Sequence, residues 1–171
     1  MWAILMHKVI AIFAGLIVLA LVNYSVYSRE QLLAEGQMVL LQLAPVDPRS
    51  LMQGDYMALS FKVANDAFGG NIIRESQKDG QIILNLDKQG VGSFARFDDG
   101  MPLANNQIRM RYRIRNDQAK FATNAFFFQE GTADQYSKAG YGEFRVAKNG
   151  DAILTRLRDH QFVPLGVASQ K

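Results

Sequence analysis

Hydrophobic residues are not spread evenly along this chain. From 9 to 22 every position is apolar or glycine. Adding the small, amphipathic and aromatic residues 23–27 gives a stretch of roughly 19 residues; as a helix rising about 1.5 Å per residue it spans roughly 28 Å, close to the hydrocarbon thickness of a bilayer. Trp2 precedes the stretch, and Tyr24 and Tyr27 close it, as aromatic side chains do at membrane interfaces. A cleaved signal would need a small-x-small site, and Val26-Tyr27-Ser28 serves poorly. A buried core helix would carry a polar stripe, which 9–22 lacks. The expectation is a single transmembrane helix over about 9–27, with 1–28 forming the cytoplasmic start and anchor.

Beyond it the period changes. Residues 29–35 read as a polar helical extension stopped by Gly36 in a C-cap-like position, so 29–36 is expected to be a stalk. Residues 37–43 are apolar with a β-branched centre and read as a first strand. In 45–56, Asp47 can cap a helical turn, Pro48 suits its first position and Gly54 its left-handed exit. A strand is expected over 56–63, with Met57, Leu59, Phe61 and Val63 on one face. Residues 65–76 read as a helix or loop. Strands 81–86 and 91–97 form a hairpin around Asp87-Lys88-Gln89-Gly90, and 98–106 is a loop. Residues 108–114 alternate strictly, Ile108, Met110, Tyr112 and Ile114 against Arg109, Arg111, Arg113 and Arg115. A further strand over 121–128 and a short helix over 132–139 follow. Asn149-Gly150 signals a type I′ turn joining 142–148 to 151–158, which sets Val146 opposite Ile153 and Glu143 opposite Arg156. The fold class is mainly β with minor α: a transmembrane helix plus an antiparallel β-sandwich or open-barrel-like domain over 37–171. Its expected core is Leu59, Phe61, Ile82, Leu84, Phe94, Met110, Tyr112, Phe127, Val146 and Ile153.

Composition alters this picture in a few places. The chain is 171 residues long with no cysteine, which fits one domain of ordinary size and excludes a disulfide or a Cys-based metal or redox site. From Arg29 onward there are eighteen Lys and Arg against sixteen Asp and Glu, a formal +2. That is no nucleic-acid signature. His7 and Lys8 lie before the apolar stretch, while Arg29 beyond it is offset by Glu30. The bias points to a cytoplasmic N-terminus and a domain outside; in a double-membrane bacterium that means an inner-membrane anchor and a periplasmic domain.

One stretch carries a family likeness. Gly54-Asp55-Tyr56-Met57-Ala58-Leu59-Ser60-Phe61, approached by Val46-Asp47-Pro48-Arg49-Ser50-Leu51, resembles the signature of the GDYXXLXY family of bacterial membrane-anchored proteins, with Phe61 in place of the final tyrosine. A second patch, Phe128-Gln129-Glu130-Gly131, resembles a downstream Phe-Val-Pro-Glu-Gly-like stretch, with Gln129 where proline is usual. The resemblance implies an exported, singly anchored protein of the kind often encoded beside multi-pass membrane proteins. It brings no reaction, cofactor or catalytic residue.

Candidate chemistry is sparse. Asp55 and Glu130 could serve as an acid/base pair of an envelope hydrolase; alternatively Asp55 is structural, accepting backbone N–H bonds in its turn beside Arg49. Arg109, Arg111, Arg113 and Arg115, about 6.5–7 Å apart on one strand face, could grip the phosphates or carboxylates of an anionic lipid or glycan. The plainer reading is a solvated face paired with acids on neighbouring strands, such as Glu143. His7 and His160 are isolated, so no metal and no cofactor is expected. An exposed ring in Phe126-Phe127-Phe128 would favour a docking surface. The sequence therefore suggests a non-enzymatic accessory or scaffold subunit docking on a multi-pass membrane partner. The hydrolase and the anionic-ligand module stand as alternatives.

Overall fold

The computed structural model describes residues 2–44, 52–53, 56–69, 78–116 and 118–166. Helix α1 (Trp2–Glu35) is one unbroken element. Its stretch Met6–Glu35 is long and apolar enough to cross a membrane, and the large apolar side chains described there, Met6 and those from Ile12 to Tyr27 among them, are exposed. The polar extension is its last two turns, and it ends as expected at Gly36, whose N–H donates to the Leu32 carbonyl at 2.9 Å. Gly36 is not left-handed. A Cβ there would collide with the Leu32 carbonyl oxygen and stand 3.1 Å from the Arg145 Cβ, so the helix's own last turn is what chiefly demands glycine, with the close sheet adding to it.

The remaining chain is mostly antiparallel β and includes a half-barrel. Strand β1 (Gln37–Gln42) pairs with β9 (Ala139–Val146), which pairs with β10 (Ala152–Asp159). A second sheet runs β5 (Gly92–Phe97), β4 (Gly80–Leu86), β6 (Gln107–Arg115), β7 (Gln118–Lys120). A third joins β2 (Met52–Gln53), β3 (Tyr56–Ala58) and β8 (Ala125–Phe127). A parallel bridge between Leu40 and Val91 ties the first two sheets together. Phe61 stands at the centre of the shared core, edge-on to Phe144 at 5.4 Å and to Phe121 at 6.3 Å. Such edge-to-face pairs add to the burial of each ring.

Several expectations need correction. Met57, Leu59, Phe61 and Val63 are all buried, but the strand ends at Ala58 and helix α2 (Lys62–Phe68) begins after Phe61. Val63 then reaches the core from the helix, as do Ala64 and Phe68 one helical turn apart, Phe68 packing edge-on against Phe97 and Tyr112. The strand expected over 121–128 is broken: Phe121 is buried, Ala122 is left-handed at φ 58°, and Thr123 folds back on Phe121. Phe127 is 73% exposed rather than core. Phe126 and Phe128 both pack on Tyr136, at 5.1 and 5.3 Å, and the alternation of a strand then turns the ring between them outward. The helix expected over 132–139 is a single 3-10 turn, Ala133–Tyr136.

The last hairpin also differs. Only Gly150 of the Asn149-Gly150 pair is left-handed, and its N–H reaches the Ala147 carbonyl at 2.9 Å. A type I′ turn needs both central residues left-handed; a three-residue loop closing on a left-handed glycine needs one. The longer loop moves the register by one, pairing Val146 with Ala152 and Ile153 with Arg145. Ile153 consequently leaves the core and is half-buried. A bulge between Leu154 and Arg156 restores the expected Glu143–Arg156 pair.

Candidate functional site

Strand β6 has two opposed faces. Ile108, Met110 and Tyr112 are buried and Ile114 packs against the same core, so the arginines between them must face the other way. All four line one open groove of about 1480 Å³. Its opposite wall is the end of α1, including Ser25, Ser28 and Arg29, and the tip of the β9–β10 hairpin closes one side with Lys148 and Asp151. The hairpin tip is fastened there by the backbone: the Arg111 N–H donates to the Gly150 carbonyl at 2.8 Å, and Gln81 Nε2 to the Asn149 carbonyl at 2.8 Å.

The arginines do not share one state. Arg109 Nε donates to Asp98 at 2.8 Å and its Nη2 to the Met101 carbonyl at 3.1 Å. Arg111 pairs with Asp151 at 2.6 Å. Arg115 forks both carboxylate oxygens of Asp79, at 3.0 and 3.1 Å. Arg113 makes no ion pair among the described residues, and the residue directly across the ladder from it is Lys120. Glu143 is not the partner of this row; it lies within the other sheet against Arg156 and Arg158.

Two aspartates that brace the row are electrostatically tuned. The Ile114 N–H, then the Arg115 guanidinium, hold the Asp79 carboxyl below the usual aspartate range. For Asp98 the Gly100 N–H acts first and Arg109 reinforces it. Burial raises the Tyr112 phenol, with the charge of Asp79 adding to it. Both aspartates therefore remain anionic partners to the arginines at neutral pH. A guanidinium that forks a carboxylate has the planar geometry to fork a phosphate.

The signature residues divide differently. Leu59 and Phe61 are core. Tyr56 turns outward, 36% exposed, and its ring meets Phe127 across the β3–β8 ladder at 5.9 Å. Glu130 is exposed. Gly131, at φ 79°, is third in a turn closed by the Thr132 N–H on the Gln129 carbonyl, the place where a type II turn requires glycine. Asp47, Pro48, Arg49, Gly54 and Asp55 lie outside the described residues, and with them the expected helical turn and the proposed partner of Glu130.

Sequence reasoning found the four arginines through their alternation but missed Arg29, Lys120 and Lys148 as cations of the same groove. No local period reports that a helix end more than 70 residues earlier in the chain and a hairpin tip more than 30 residues later will stand beside this strand. Among the described residues, no three His, Cys, Asp or Glu side chains converge as a metal site would require.

No curated protein and no solved structure matches the chain. A family model does, over residues 18–157, under the description GDYXXLXY protein. That match takes in the second half of α1, the buried Leu59 and Phe61, the outward Tyr56 and the whole of β6, and by it the chain belongs to the GDYXXLXY family.

Proposed function

We propose that this protein is a membrane-anchored accessory subunit. The helix α1 tethers a β domain, and the domain docks on a multi-pass membrane partner or another envelope component. The observation that carries this reading is the aromatic pair on the third sheet. Phe127 is 73% exposed and packs only partly against Tyr56. A large exposed ring is where docking surfaces gather their binding energy. The pair is built by the family signature itself, since Leu59 and Phe61 anchor the segment in the core and Tyr56 lies on its opposite face.

The test is a photo-crosslinking side chain placed at 127 in the full-length protein, irradiated in native membranes. One stoichiometric membrane product is expected. Phe127→Ser should lose it while changing stability by no more than about 0.5 kcal/mol, the range of ordinary surface substitutions. A chain that stays monomeric under irradiation sinks the proposal.

On the same reading the domain faces the periplasm, supported by His7 and Lys8 ahead of the apolar stretch. The chain has no cysteine, so Lys148→Cys supplies one reporter thiol. A membrane-impermeant maleimide should label it in cells whose outer membrane alone is permeabilised. Labelling only after the inner membrane is broken reverses the orientation.

A further inference from the structure

The groove between α1 and β6 carries a second inference, independent of the aromatic pair. Its lining holds seven basic side chains, the four arginines of β6 with Arg29, Lys120 and Lys148, against two acidic ones, Glu35 and Asp151. Counting also Asp79 and Asp98, which pair with Arg115 and Arg109, the surplus is three. The whole chain has a formal charge of +3. The remainder is therefore neutral on balance, and the cationic excess sits in this one groove.

Its position follows from helix length. The 34 residues of α1 make a rod of about 50 Å, of which a bilayer's hydrocarbon takes about 30 Å. The apolar stretch ends at Tyr27, and the groove's wall on α1 begins at Ser25 and runs to Glu35. It thus opens at the level of the lipid headgroups. Apolar side chains, Leu32, Leu103 and Ile153, lie among the cations, as suits a ligand with a charged head and a less polar base. Arg113 and Lys120 face each other directly across the ladder, a like-charge pair that is unfavourable; Asp79 feels the charge of Arg113 but is forked by Arg115, so a further anion would relieve the pair.

From this we infer that the groove binds the phosphate of an anionic phospholipid headgroup drawn from the bilayer that α1 crosses. Arg113 and Lys120 make the primary contact and Arg29 closes from the helix side. The inference goes beyond partner docking, because it assigns a ligand to a different face of the domain. The exposed Arg111–Asp151 pair tempers the site by holding one of its cations.

Native mass spectrometry of the full-length protein in mild detergent, titrated with short-chain phosphatidylglycerol or phosphatidylcholine, tests it. The wild type should prefer phosphatidylglycerol by on the order of tenfold, and Arg113→Gln with Lys120→Gln should abolish that preference, as expected for two cations at an anionic surface. Asp151→Asn, which releases Arg111, should increase it, so a folding defect in the double variant cannot decide the matter alone. Equal affinity for both lipids in the wild type, or an unchanged preference in either variant, overturns the inference. Displacement of phosphatidylglycerol by equimolar inorganic phosphate would make the groove a site for soluble anions and overturn the lipid assignment.

Discussion

Arginine meets carboxylate in two regions of this molecule, and the settings could hardly differ more. On β9 and β10, Glu143 is 3% exposed. It accepts from Arg158 Nε at 2.6 Å and from the Thr155 hydroxyl at 3.3 Å, with Arg156 Nε at 3.6 Å. On β6 each paired arginine has one aspartate, and most of those side chains keep substantial contact with water. The buried carboxylate cannot regain solvent without unfolding, so its partners are obligatory. The exposed β6 pairs, Arg111–Asp151 and Arg115–Asp79, can open, rehydrate and close on something else at little cost. The same two functional groups thus build a fastening in one sheet and an exchangeable surface in the other.

The sharpest way to break that comparison is to remove one carboxylate from each region. Glu143→Ala should destabilise the domain by about 3 kcal/mol, the low end for a severed buried pair because Arg156 stays half in water. The readout is the denaturant midpoint of the detergent-solubilised protein. Acid supplies a second, smaller contrast. Asp79 and Asp98 have lowered folded-state pKa values, so their support is complete above the unfolded aspartate value of about 4 and is lost as pH falls through the lower folded values. The denaturant midpoint should therefore fall below pH about 4, and Asp79→Asn with Asp98→Asn should flatten that slope. The smallest effect belongs to Asp151→Asn, below about 1 kcal/mol as for exposed pairs generally. If it matched Glu143→Ala in the same titration, the distinction between fastening and exchangeable surface would be wrong.

How much of this was readable beforehand depended on how local the signal was. The strict alternation of β6 determines which side chains are buried, and the Asp87–Gly90 hairpin sits where its turn residues put it, because each is a property of a few adjacent positions. Three consecutive phenylalanines carry no such instruction. Which ring turns outward is settled by Tyr136, which holds Phe126 and Phe128. Asn149-Gly150 marked a turn, yet its type depended on whether Asn149 would accept a left-handed backbone, and the one-residue difference displaced Ile153. The groove was least legible, since its walls come from a helix end, a strand and a hairpin tip far apart in the chain. The arginines were visible; their enclosure was not.

The joint at Gly36 has a mechanical consequence. Leu32 is buried, the Gly36 N–H stays bonded to the helix, and Arg145 Nη1 donates to the Gly36 carbonyl at 3.1 Å. There is no slack between rod and cargo. A domain on a loose leash would tumble over its anchor and sample every heading. This one is mounted like a blade on a shaft: with α1 across a bilayer, as proposed, its height above the surface and its tilt follow those of the helix, and spin about one axis is its main remaining rotation. On the proposed docking role, its search for a membrane partner would thereby be reduced to gliding in a plane and turning to face it. Lengthening the joint by a few flexible residues would keep the Tyr56–Phe127 pair but part the two walls of the groove, and on the proposed docking role it should also slow that encounter.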